Sequence, residues 1–323
     1  MADIVNSYDR TEELIRSFPV EHFTSVKPGM ETYIQNRLLT GFENWNRGFD
    51  AWKAWGDILY TGESIYNVHG ARLTLAQYQA AMNIILRKTQ IDMGAFHNML
   101  ICDDWCAIYY DIATHVGENV IPGSVMEFVK FKDYSTGGPD ARVVEGWGGT
   151  KDQSFGNMCM FQGPAEKEVQ QKNLEALLSI TLPETDDLAK KYPVLYPTVD
   201  KGDWAKEIRA LVFQDIDSWN RGYDAWVKWT EEGYAPDAIS SGLRDEKRTM
   251  DAYRAAVKAM MEKETIRKVR IDSLLIQDDW AAVHYFFVSE NKETGEKTTG
   301  DRMTFLQFAR KEDGLKIIGS WTK

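Results

Sequence analysis

The chain has 323 residues, 43% of them hydrophobic and 27% charged, which suits a soluble globular protein of two ordinary domains. Its net charge of −11, with no Lys/Arg cluster interleaved with aromatics, argues against a nucleic-acid partner, which needs a basic stripe. The charged N-terminus lacks the apolar centre of a signal peptide, and no stretch reaches the ~18 apolar residues of a membrane span, so the expectation is a cytoplasmic protein without a membrane partner.

Residues 1–28 are polar and broken by Pro19 and Pro28, which predicts an N-terminal arm with one short helix over 12–17. Over 29–47, Tyr33, Ile34, Leu38, Phe42 and Trp45 recur near a 3.6 period, the mark of an amphipathic helix. Gly48 can end that helix, and Asp50 fits the N-cap of a second one over 51–57, with Trp52 and Trp55 on one face. An extended segment over 64–69 and a third helix over 74–89 follow. The period then changes to strands over 96–101, 105–115, 125–133 and 141–151, with a turn at Asp103 and Asp104. Helices followed by a meander mean α+β, the helices lying on one face of a curved antiparallel sheet.

The plan then repeats. WNRGFDAWKAW at 45–55 returns as WNRGYDAWVKW at 219–229, with eight of eleven positions identical. Ile101-Cys-Asp-Asp-Trp105 matches Ile276-Gln-Asp-Asp-Trp280, Met126 to Phe131 matches Met303 to Phe308, and Trp147 matches Trp321, at an offset of 174 to 177 residues. This is a tandem duplication. The predicted organisation is an arm (1–28), a first domain (29–155), a Pro-containing connector with a helix (156–202) and a second domain (203–323). The odd count of three cysteines, Cys102, Cys106 and Cys159, fits free buried thiols in a reducing compartment.

The WN-x-G-x-D-A junction, the third helix, the DDW turn and closing strands ending in G-x-W resemble the NTF2-like superfamily, specifically its SnoaL-like branch, over about 29–152 and 203–322. The resemblance implies two cystatin/NTF2-like cone domains, each with three helices packed on a strongly curved antiparallel sheet and an apolar pocket at the open end. It also implies dehydratase-, cyclase- or isomerase-like chemistry, or small-molecule binding without catalysis. The family's usual Asp matches Asp50 and Asp224. Its usual His falls near Gln90 and Thr265, so the Asp–His dyad is not intact here.

Asp50 is the candidate general base, since a carboxylate in an apolar pocket is poised to accept a proton; a helix cap explains the same residue without chemistry. Tyr66, His69 and His97 are candidates to polarise an oxygen, and four of the five histidines lie in or before the first copy. Trp52 and Trp55 are candidate pocket walls, or plain helix-to-sheet core. Along 105–115 one face reads Trp105, Ala107, Tyr109, Asp111, Ala113, His115, and the other is conventional core. The first face either lines the pocket with Trp147 or packs on the sister domain. Gly-rich phosphate loops, GxSxG and HExxH are absent, and the Cys/His spacing offers no metal site. The expectation is a cofactor-independent lyase or isomerase acting on a hydrophobic cyclic molecule in the first domain. The alternative is a non-catalytic binder whose second domain is structural. The two domains are expected to pair within the chain, with homodimerisation left open.

Overall fold

The repeated motif fixes the same helix junction twice. Helix Met30–Asn46 gives way to Phe49–Leu59, and Ala205–Asn220 to Tyr223–Gly233. Between them the chain passes through Gly48 at φ 98° and Gly222 at φ 95°, conformations that a β-carbon disfavours, and each glycine is the N-cap. Asp50 and Asp224 are therefore not caps. They sit in the first turn and make no capping bond, though their charge suits the positive end of a helix. The asparagine before the glycine clamps the helix to a strand. The Asn46 amide donates to Met93 O at 3.0 Å and accepts from Met93 N at 2.7 Å, and Asn220 makes both bonds to Lys268 at 2.7 Å.

The computed structural model describes residues 11–18, 20–23, 30–68, 71–131, 142–148, 164–243 and 246–323. They form two units, Met1–Gln162 and Gly163–Lys323. The first holds β1 (Val20–Phe23), β2 (Tyr60–Val68), β3 (Ala71–Thr74), β4 (Gln90–Cys102), β5 (Trp105–Val116), β6 (Asn119–Phe131) and β7 (Val143–Gly148). They make one sheet in the order β1-β4-β5-β6-β7-β2-β3. The second holds β8 (Val194–Tyr196), β9 (Tyr234–Ser241), β10 (Lys247–Thr249), β11 (Glu264–Gln277), β12 (Trp280–Asn291), β13 (Lys297–Lys311) and β14 (Gly314–Thr322), in the matching order β10-β9-β14-β13-β12-β11-β8.

The meander is antiparallel as expected, but the sheets are mixed. β2 pairs parallel with β7 and β9 with β14, because each leaves a helix rather than a hairpin. β1 and β8 also pair parallel, with β4 and β11. β4 begins six residues earlier than the alternation predicted. Register shifts between Met93 and Asn98 break its inside–outside pattern, and β11 shifts at the corresponding places. The two DD turns are alike too, with Asp103 and Asp278 at φ 53° and 54°.

The described part of the predicted arm belongs to the first unit. Leu14 and Phe18, from helix Thr11–Ser17 and the residue after it, are buried in the main cluster. In the second unit Tyr192, the residue after helix Leu188–Lys191, is buried in the main cluster and half-buried Leu188 packs against it, inside the predicted connector. The repeat thus starts near Thr11 and Thr185, where TEELIRSFPV faces TDDLAKKYPV. Helix Pro164–Leu178 lies on the other face of the second sheet, where Leu177 meets Val269 and Val288.

In the first unit, helices Met30–Asn46, Phe49–Leu59 and Leu75–Lys88 cover one sheet face. Phe42, Trp52, Met82 and Ile85 pack there against Ile108, Val129 and Phe131. Cys102 and Cys106 are buried thiols, and Cys159 lies outside the described residues. Among the described residues no helix is long and apolar enough to cross a membrane.

Candidate functional site

β5 settles which sheet face meets the helices. Cys106, Ile108, Tyr110 and Ile112 join the core cluster; Tyr109, Asp111 and His115 alternate with them and point the other way. That face also carries His97, whose Nε2 lies 2.6 Å from Asp111 Oδ1 and whose ring packs on Tyr109 at 4.6 Å. His115 pairs similarly with Asp92, at 2.9 Å. Trp147 stacks on Trp105 at 5.3 Å, outside the core cluster. The pocket reading of Tyr109, Asp111, His115 and Trp147 is thereby corrected. The strand alternation sends them to the face opposite the helices, and His97 with them.

The base assigned to Asp50 is corrected as well. Its side chain is 88% exposed, and its contact is an ion pair with exposed Arg87 at 3.4 Å. In the first turn of its helix it projects outward, because the buried stripe belongs to Trp52, Trp55 and Leu59. Trp52 fills core between Trp45 and Tyr78, and Trp55 packs on Gly41. Neither tryptophan lines the cavity described next. His69 lies outside the described residues.

The first unit does hold a cavity, of about 30 Å³, between helix and sheet. Trp45, Tyr66, Tyr78 and Tyr110 give it aromatic walls, Met93 and Val125 add aliphatic surface, and Glu127 supplies a carboxyl. The motif builds one wall directly, since the Trp45 indole donates to Ile91 O at 2.8 Å while Asn46 holds Met93. Tyr66 and Tyr78 stack at 4.1 Å. The opposite wall depends on glycines. A β-carbon on Gly146 would lie 2.5 Å from the Tyr66 ring, and one on Gly148 would lie 2.5 Å from the Tyr66 hydroxyl and 3.2 Å from Glu127 Oε1. β7 carries no inward side chain at these positions, so the tyrosine can lie flat against it.

Among the described residues Glu127 is the one charged group in this lining. Val125, Val129 and Phe131 share its face of β6 and are buried in the core. The surrounding protein strips water from the carboxyl. That desolvation raises its pKa above the ordinary carboxylate range, while the neighbouring Tyr110 and Tyr66 hydroxyls pull it part of the way back. Tyr110 Oη donates to Glu127 Oε1 at 2.9 Å. The buried Tyr66 hydroxyl is close by but completes no hydrogen bond, so its influence is the weaker of the two. Burial and the nearby Glu127 hold both phenols well above their usual pKa, so both stay neutral and keep a proton to donate. The arrangement is a desolvated carboxyl that holds its proton more tightly than an exposed one, flanked by two phenols, in an aromatic enclosure.

Sequence reasoning placed Tyr66 among the candidates and passed over Glu127. Two signals mark the site: a glutamate on the apolar stripe Val125, Val129, Phe131, and the facing Gly146-Trp147-Gly148. Among the described residues no group of three or more His, Cys, Asp or Glu could hold a metal ion.

No family model and no curated protein matches the chain. Solved structures do resemble part of it. A protein named as a candidate SnoaL-like polyketide cyclase from Jannaschia sp. CCS1 is 13% identical at TM-score 0.33, covering 39% of this chain and 90% of its own. A ketosteroid isomerase-like protein from Erwinia carotovora atroseptica is 17% identical at TM-score 0.31, covering 37% and 95%. A candidate calcium/calmodulin-dependent protein kinase II association domain from Xanthomonas campestris is 20% identical at TM-score 0.29, covering 38% and 93%. Each match spans little more than a third of this chain. Likeness at this level carries no activity with it.

Proposed function

We propose that the first unit works by proton transfer on a small organic molecule, as a cofactor-independent lyase or isomerase in which Glu127 is the acid–base group. The observation that carries this is the Glu127 carboxyl enclosed by aromatic walls and hydrogen-bonded to Tyr110. Desolvation raises the carboxyl's pKa, which makes its neutral form a better-populated acid than an exposed carboxylate offers. Tyr110 and Tyr66, as neutral phenols, would stabilise an oxygen that gains charge as a proton leaves carbon. The cavity limits what fits. A water needs ~10–15 Å³ of such volume, so about 30 Å³ seats the reacting end of a ligand and not a whole ring. The cyclic part of the expected substrate must lie toward the mouth.

The test is carbon-acid exchange. Small cyclic ketones are incubated with the full chain in D2O, and α-proton loss is followed by NMR. Exchange in the wild type, lost in Glu127→Gln and kept in Asp50→Asn, supports the proposal. Exchange that survives Glu127→Gln removes Glu127 from the chemistry. A second reading, a binder without catalysis, is favoured by the lining, which among the described residues holds no second carboxylate and no histidine to relay the proton. Saturable binding without exchange would select it.

A further inference from the structure

At the place corresponding to the first unit's cavity, the second unit carries an ammonium of its own. Lys268 stands in β11 where Met93 stands in β4, each gripped on both backbone sides by the asparagine of the repeated motif. Its side chain is buried. Nζ lies 4.7 Å from the Trp219 ring and 4.6 Å from the Tyr285 ring, and it pairs with Asp215 at 3.0 Å. Trp219 and Tyr285 are the counterparts of Trp45 and Tyr110 in the repeat. The second unit therefore shows what this box of rings accommodates: a cation over two aromatic faces, neutralised by one carboxylate.

The first unit keeps the box and changes its contents. The rings remain as Trp45 and Tyr110. Met93 replaces the lysine, Gly41 stands at the position of Asp215, and the carboxyl comes instead from β6 as Glu127. Among the described residues the lining joins rings, an anion and empty volume, with no lysine or arginine. We propose that the first-unit cavity takes an organic ammonium, the primary or methylated amine end of a small molecule, seated between Trp45 and Tyr110 and paired with Glu127. This rests on the cavity being the functional site and goes further by fixing the charge of what enters it.

A proton balance follows. The empty site favours the neutral carboxyl, because burial disfavours its charge. An ammonium favours the carboxylate, so binding expels the Glu127 proton to solvent while the ligand keeps its own. The other groups around this carboxyl do not compete. Tyr110 and Cys106 on β5 and Tyr60 and Tyr66 on β2 are all held neutral by burial. Tyr78, on helix Leu75–Lys88, adds a stacked phenol, and β7 adds only Gly148. Affinity for the ammonium should rise with pH until Glu127 is fully ionised.

The experiment titrates the full chain with benzylammonium and methylammonium against benzyl alcohol and methanol, by calorimetry in buffers of different ionisation heat. At pH 8, benzylammonium should bind at least tenfold more tightly than benzyl alcohol, with proton release that diminishes as pH rises. Glu127→Gln should weaken the ammonium at least tenfold and leave the alcohol unchanged. Met93→Lys, which ties a lysine ammonium into the box, should abolish ammonium binding; a fold check by hydrogen exchange accompanies both variants. Equal affinity for alcohol and ammonium, or an ammonium affinity indifferent to Glu127→Gln, overturns the proposal. Alcohol binding that depends on Tyr66 and Tyr110 but not on charge would leave the cavity as the site and remove only the cation. Binding of none of the probes would remove both.

Discussion

The two units share a scaffold and differ at four facing positions. In the first, Tyr66 of β2 pairs with Gly146 of β7, and Gly148 pairs with Glu127 of β6. In the second, the same registers join Ser240 to Ser320 and Thr322 to Thr304. There the side chains close on one another, with Ser240 and Ser320 hydroxyls 3.3 Å apart and Thr304 and Thr322 hydroxyls 3.1 Å apart. One unit thus lines its sheet with a tyrosine, two glycines and a carboxyl around a void, and the other with four short hydroxyls. Behind this layer the second unit adds the Lys268–Asp215 pair. The lesson is that a site can be made or removed in this fold without touching the motif that specifies it. Asp50 and Asp224 hold equivalent exposed positions and distinguish nothing.

The contrast can be broken most severely in the second unit. Lys268→Met installs the first unit's residue but leaves the half-buried Asp215 without its cation. Removing one partner of a buried pair costs about 3–5 kcal/mol, and local hydrogen exchange in β11 should report it. Met93→Lys should cost the first unit much less, because Glu127 is there to receive the charge. Next comes closing the first cavity. Gly148→Thr copies Thr322, but its β-carbon meets the Tyr66 hydroxyl. Overpacking of this kind costs about 1–3 kcal/mol, and ligand binding should disappear with it; Thr322→Gly should cost less and clash with nothing.

A control should fall equally on both units. Gly48→Ala and Gly222→Ala force a β-carbon into φ 98° and 95°, for about 1–2 kcal/mol each. Unequal costs in the two units would mean that the junctions are not equivalent. The pH dependence then separates the units without strain. Glu127 has its folded pKa raised, so the folded state holds this proton longer than the unfolded chain does. Its contribution is fully present below the ordinary carboxylate pKa and is lost as pH rises through the folded value. Melting of the first unit should therefore fall with rising pH, and Glu127→Gln should flatten that fall and raise the melting temperature at pH 8. The smallest effect is reserved for Asp50→Asn. An exposed ion pair and a helix-end charge are worth together less than about 1 kcal/mol, with no change in exchange or binding.

Much of the architecture was legible because the duplication checks itself. The helix junction, the third helix and the meander recur at one spacing, and both units show them. The indole bond, the strand clamp and the glycine N-cap at Trp45, Asn46 and Gly48 were not legible in the same way, since Gly48 read as a helix end and Asp50 as the cap. The site was less legible for a physical reason. Asp50 stood out because it lies among aromatics in the chain, but helical geometry turns it away from them. Glu127 lies among ordinary strand residues, and only the sheet brings it beside Tyr66 and Tyr110. Alternation did single out the core face of β5, Cys106 to Ile112, and left open only what the opposite face meets. The bulges in β4 hid its first six residues by shifting which side chains face in. The start of the repeat escaped notice because residues 11–20 match 185–194 mainly in kind: acid for acid, Phe18 for Tyr192.

That early start has a practical consequence for anyone who would cut the chain to study one unit. β1 and β8 cover the outer edges of β4 and β11, the longest hydrogen-bonding margins each sheet would otherwise expose. A fragment trimmed to residue 29 or 203, where the obvious homology begins, would bare such a margin and lose Leu14 and Phe18, or Leu188 and Tyr192, from its core. Uncovered strands of that length recruit other chains. Trimmed fragments should precipitate, whereas pieces beginning before Thr11 or Thr185 carry their own edge protection.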